Sequence, residues 1–199
     1  GKELALIETG PGSTLPALLD GIRAHGFSPD AVKHVFVTHI HLDHAGAAGW
    51  WAQQGATVFA HPKATPHLID PSKLVDSAKR IYAERMDSLW GDMLPAPNER
   101  VVTLTDGQCV KVGPVTFTAI DTPGHARHHH AYACEGVCFT GDVAGMKLPQ
   151  FQHCSNGPST SSWHCGQYQR RCGRSCRSFN SCRACSQRLS SMIQSSGSA

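Results

Sequence analysis

The run HIHLDHAG, residues 39–46, places three imidazoles and a carboxylate within six consecutive positions, directly after the apolar run Val35–Val37. Side chains alternate on an extended segment, so His39 and His41 share a face and reach one point together. Asp43 and His44, where the chain begins to coil toward a helix, point to a second position close by. Zinc and similar ions take imidazole nitrogen and carboxylate oxygen at about 2.0–2.2 Å and need at least three protein ligands when catalytic. Two such ions roughly 3.5–4 Å apart can share one hydroxide. The cluster is dense enough for two ions, and the remaining ligands must come from elsewhere in the chain.

The surrounding text reads as an α/β domain. ELALIE alternates as a strand into the turn TGPG, STLPALLDGIRAHG has helical spacing with a glycine stop, and the β-branched run Val35–Val37 is a second strand. AGAAGWWAQQG predicts a helix in which Gly46 and Gly49 allow close packing, and ATVFAHP a third strand closed by Pro62. The β-α-β-α-β order is that of an α/β fold. Residues 66–97 predict one or two inserted helices with a stripe at Leu74, Ala78, Ile81, Arg85 and Leu89. This insert, carrying Tyr82, Met86, Trp90 and Met93, is the expected cap over the site. VVTLTDGQCVKVGPVTFTAIDTPG predicts a β-meander with turns at Asp106-Gly107 and Gly113-Pro114, and ACEGVCFTGDVAG one more strand pair. Trp50 or Trp51 is expected in the core.

Two further ligand candidates each follow a strand. His125 comes after the sharp Pro123-Gly124 turn in DTPGHARHHHAY; Asp142 lies in FTGDVAG, where Gly141 leaves room and the carboxylate could bridge both ions. His128, His129 and His130 are read as supporting or structural residues, and His61 as a packed or hydrogen-bonded histidine.

In the order LIETGPG, THIHLDHAG, TPGHARHH and FTGD, residues of about 3–149 resemble the metallo-β-lactamase superfamily, nearer its glyoxalase II-like hydrolases than the true β-lactamases. The resemblance implies an αββα sandwich, here incomplete at both ends. It places His39, His41 and His125 on a first divalent ion, Asp43 and His44 on a second, and Asp142 between them. Zinc is the expected metal, with iron or manganese as alternatives. The implied activity is hydrolysis of a small-molecule thioester, ester or lactone by a bridging hydroxide, with Asp43 orienting that hydroxide and accepting its proton. Glu8 stands where the family more often has Asp, and a supporting role is expected of it. The family's seventh ligand, a late histidine, has no good counterpart, since His153 and His164 follow no apolar strand.

Composition divides the chain. Residues 1–150 carry 12 Lys and Arg against 15 Asp and Glu, a balance that argues against a nuclease of the same fold and against a nucleic-acid partner. Residues 151–199 hold thirteen serines, six arginines and six cysteines with no acid, a composition from which no core can be built. This tail is read as disordered or translated out of frame, so that an inactive, truncated product is the alternative to an active enzyme. A zinc knuckle on Cys172, Cys176, Cys182 and Cys185 is the competing reading, on loose spacing. No apolar run of about 18 residues spans a bilayer and the start lacks a signal-peptide pattern, which together predict a cytoplasmic protein. The chain begins with Gly almost inside a strand, as if its natural beginning were missing. The sequence leaves the oligomeric state open.

Overall fold

The computed structural model describes residues 3–143. The tail from residue 151, with His153, His164 and the knuckle cysteines, lies outside the described residues. Four strands form a parallel sheet in the order β1 (Leu4–Ile7), β2 (Val32–Phe36), β3 (Thr57–Ala60) and β4 (Val101–Thr103). Parallel neighbours need crossovers. These are α1 (Leu15–Ala24), then α2 (Leu42–Ala45) with α3 (Ala48–Gln53), then the insert α4 (Thr65–Ile69), α5 (Ser72–Tyr82) and α6 (Met86–Leu89). A second, antiparallel sheet follows as a meander of β5 (Cys109–Val112), β6 (Val115–Asp121), β7 (His130–Cys134) and β8 (Val137–Phe139). Of the two or three strands read in residues 101–124, β5 and β6 open the meander. β4 arrives through the helical insert and joins β3 in parallel instead.

The end of β2 nearest the site is buried on both faces, and from Val35 onward alternation sends successive residues to opposite cores. Val35 and Val37 pack with Trp51, Val58 and Leu68 against the helices. Phe36 faces the other way, into the core between the sheets, where its ring lies 4.7 Å from Phe59, 4.6 Å from Phe117 and 5.2 Å from Tyr132. Burying a side chain of this kind is worth about 1.5–3 kcal/mol. The layering is thus helices, parallel sheet, antiparallel sheet. The outer helical layer of an αββα sandwich is not found among the described residues, whose α-helices all precede β4.

The insert packs into the main core. Met86 and Met93 are buried there, and Trp90 and Tyr82 pack against it. Leu74 and Ala78 lie on the packed face as the stripe predicts, but Ile81 is 73% exposed. α5 ends at Ala83, whose φ of 45° breaks the helical phase, so the spacing does not continue to Arg85 and Leu89. Close packing at α3 depends on Gly49, because a Cβ there would collide with the Leu94 carbonyl of the insert.

Candidate metal centre

Four segments converge at one end of the two sheets. Beyond β2, the Val37 amide still donates to the Phe59 carbonyl at 3.1 Å, which carries the strand direction up to Thr38. His39 follows, and His41 stands in extended backbone as the N-cap of α2. The first turn of α2 then holds Asp43 and His44, the helix starting at Leu42, three residues before the predicted start at Ala45. His125 comes from the loop between β6 and β7, and Asp142 from the 3₁₀ turn Gly141–Val143 that follows β8. The edge is held to the sandwich by Tyr132, whose buried hydroxyl lies 3.0 Å from the Val37 carbonyl and 3.3 Å from that of Phe59.

Five of the six candidate ligands fall into two overlapping groups. Ligand atoms of His39, His41 and His125 lie within 4.8 Å of one another, and so do those of His39, His44 and Asp142. His39 Nε2 is 3.0 Å from His41 Nδ1, which in turn is 2.9 Å from His125 Nε2. The two carboxylate oxygens of Asp142 divide between the groups: Oδ1 lies 3.1 Å from His44 Nε2 and Oδ2 lies 3.4 Å from His125 Nε2. Asp43 stands outside both groups, with Oδ2 at 3.4 Å from His44 Nε2 and its side chain 54% exposed.

A hydrogen-bond chain fixes the tautomer of His39. The Glu8 carboxylate can only accept, so Thr38 Oγ1 donates to it, at 2.5 Å. The same hydroxyl lies 3.0 Å from His39 Nδ1 and has only lone pairs left to offer, so Nδ1 carries the proton. His39 Nε2 is then a bare lone pair aimed at His41. A partner on the second nitrogen is how histidine ligands are commonly oriented. Glu8 holds this post with φ of 64°, a backbone conformation that costs a non-glycine residue about 1–2 kcal/mol. Its Oε1 also lies 3.3 Å from His44 Nδ1, close enough for charge attraction but out of line for a hydrogen bond. Thr38 carries no sequence signal beyond its position before His39.

Burial and mutual repulsion keep most of these rings neutral. His39 is driven far below the usual histidine range, first by burial and then by His44, His41, His129 and His125. His41 is lowered by burial and by His125. His44 departs from this pattern. Burial opposes its charge, but the carboxylates of Asp43 and Glu8 outweigh burial and push it up to about 10. Asp43 is held ionised, chiefly by its bond with His44. His129 is fully buried and bonded through Nδ1 to Thr122 Oγ1 at 2.8 Å, and burial pushes it down to about 3.

The donor set fits divalent ions. Neutral imidazoles with nitrogens about 3 Å apart bring lone pairs together at the distance set by a shared cation: ligand atoms each about 2.1 Å from a tetrahedral ion sit about 3.4 Å apart. Glu8, Asp43 and Asp142 add the negative charge that a second ion requires.

Residues 1–154 match the family model of the metallo-β-lactamase superfamily, and the chain belongs to that superfamily. Among its relatives is a metallo-β-lactamase fold-containing protein of Sulfurisphaera tokodaii, 25% identical over 151 residues, covering 72% of this chain and 58% of that one. The crystal structure of that archaeal protein aligns with a TM-score of 0.60 at 24% identity, covering 74% of this chain and 56% of the other. An atrochrysone carboxyl ACP thioesterase of Aspergillus fumigatus is 28% identical over 144 residues, covering 71% of this chain and 27% of the relative. An N-acyl homoserine lactonase of Agrobacterium fabrum is 30% identical over 115 residues, covering 57% and 40%. The chain thus spans less than two thirds of the length of each of these relatives. The fold implies divalent metal binding. No helix among the described residues is long and apolar enough to cross a membrane.

Proposed function

We propose that this chain is a hydrolase dependent on two divalent ions, with zinc as the expected metal, acting on a small thioester or ester, with a lactone as the next choice. The observation that carries this reading is the convergence of His39, His41, His44, His125 and Asp142 into two ligand groups that share His39. His39, His41 and His125 would hold one ion. His44 and Asp43 would hold the other, and Asp142, facing both groups, would join them. Bound ions supply acidified water near neutral pH and positive charge for a developing oxyanion.

The protein's own residues do the rest. Thr38 and Glu8 orient His39, and His129 stays neutral beside it. Asp43 is ionised and exposed at the mouth of the cluster, where it can take up a proton from the attacking water. The thioesterase and lactonase among the relatives support an acyl substrate with a sulfur or oxygen leaving group. The acidic balance of residues 1–150 supports a small molecule over a nucleic acid.

The test is a substrate panel with the zinc-loaded protein: an acyl thioester followed by thiol release, an N-acyl homoserine lactone, and a β-lactam. Thioester turnover that is lost in Asp43→Ala is the expected result. Wild-type turnover by Asp43→Ala would remove Asp43 from the chemistry, and inertness toward all three would overturn the acyl-hydrolase reading.

A further inference from the structure

We propose that His61, Asp121 and His130 form an additional metal site, built from residues outside the His39 cluster, which takes a divalent transition ion such as zinc and ties the two sheets together. The three residues come from different elements. His61 follows the last residue of β3, Asp121 ends β6 and His130 opens β7. Their ligand atoms lie within 4.8 Å of one another. The rings of His61 and His130 are 4.7 Å apart.

Ordinary packing leaves these polar groups unexplained. His130 is fully buried and neither of its ring nitrogens has a hydrogen-bond partner. Leaving a buried polar group without a partner is costly. His61 Nε2 lies 3.3 Å from Asp121 Oδ1, yet that oxygen too has no hydrogen-bond partner. The two atoms are close without being aligned on each other, as ligands of a shared ion are; tetrahedral ligand atoms about 2.1 Å from zinc are spaced about 3.4 Å.

The charges fit a cation. Burial holds His130 neutral, with its pKa pushed down to about 4, so its nitrogens keep a lone pair. The Asp106 carboxylate accepts the Asp121 amide at 2.9 Å and adds negative charge beside Asp121. Two imidazoles and one carboxylate are a recognised donor set for zinc, and the partly exposed Asp121 side leaves one position to solvent. One contact opposes binding. His61 Nδ1 accepts the Lys63 amide at 2.9 Å, so an ion on Nε2 shifts the ring proton to Nδ1 and releases that amide. Lys63 is exposed and its amide turns to water, which makes this site weaker than the His39 cluster without closing it.

The metal-stripped full chain is dialysed against zinc, and bound ion is counted by mass spectrometry alongside thermal unfolding. Asp121→Ala and His61→Gln are each expected to hold one equivalent fewer than wild type and to lose part of the zinc-dependent rise in Tm. His39→Asn/His41→Asn keeps that equivalent, so a failure of the His39 cluster to bind zinc reads out separately. Equal zinc content in wild type and in either variant shown by circular dichroism to be folded would overturn the proposal. Anomalous diffraction from zinc-soaked wild-type crystals decides it without any substitution. A peak among the three side chains supports the site, and scattering confined to the His39 cluster contradicts it.

Discussion

Gly141→Ala places one methyl group at the point where the candidate metal centre is most tightly built. A Cβ at this position would lie 2.5 Å from Thr38 Oγ1, 2.8 Å from His129 Nε2 and 2.9 Å from Thr38 Cβ, and Gly141 has φ of 49°. The backbone term is about 1–2 kcal/mol for a side chain in the left-handed region. The collision adds about 1–3 kcal/mol, the range for overpacking, because Thr38 and His129 are short, buried and already bonded. The sum is about 2–5 kcal/mol, or roughly 4–20 °C in Tm for a domain of this size. Relief of the collision must move Thr38 away from His39 or the 3₁₀ turn away from the cluster, taking Asp142 with it. Disturbing groups that orient ligands commonly lowers metal affinity by about 10–100-fold. The assay is thermal unfolding with and without zinc, plus a competitive zinc titration. Gly136→Ala is the control, since Gly136 has φ of 80° with nothing near its Cβ position and so carries the backbone term alone. If Gly141→Ala matched Gly136→Ala in both Tm and zinc affinity, the close approach would have no functional weight.

Thr38→Val keeps the shape of the side chain but removes the hydroxyl that fixes His39; zinc affinity should fall about 10–100-fold in the same titration, and unchanged affinity would contradict the tautomer assignment. The metal-free protein should lose stability in mild acid. His129 and His130 are held at about 3 and about 4, below the ordinary histidine value of 6.5, so the unfolded chain takes up protons first as pH falls. Their contribution is complete above about pH 6.5 and is lost progressively toward about pH 4 for His130 and about pH 3 for His129, at roughly 1.4 kcal/mol per pH unit for each. Urea unfolding of the metal-free chain between about pH 6.5 and pH 5 should show the decline; above that window the raised pKa of His44 acts in the opposite sense, adding stability as pH falls. A flat or rising profile as pH falls below about 6.5 would contradict the burial argument.

Much of the site was legible because its ligands crowd one short segment. Apolar residues before His39 mark a strand, and the four candidate ligands His39, His41, Asp43 and His44 crowd directly after it. His125 and Asp142 were found because each follows a turn signal at a strand end. The relay through Thr38 was not legible: it joins Glu8 to His39 across 31 positions, and a single threonine in front of a histidine has no pattern of its own. The grouping of His61 with His130 was missed for the same reason, since β3 and β7 belong to different sheets and only the packed sandwich brings their ends together. In the fold, periodicity located β4 but not its sheet, because partner choice depends on the direction in which the insert returns the chain. The helical stripe reads on past Ala83 because alanine is a strong helix former, and nothing in its side chain signals the positive φ that ends α5 there.

Hydrolysis by this chain is expected to depend on ions held by the His39 cluster. The most direct measurement is thioester turnover by chelator-treated protein as zinc is added back in measured equivalents. No turnover without metal, followed by a rise that saturates once the cluster is filled and is absent in His39→Asn/His41→Asn, is the expected result. Turnover by the metal-free protein at the zinc-loaded rate would contradict it.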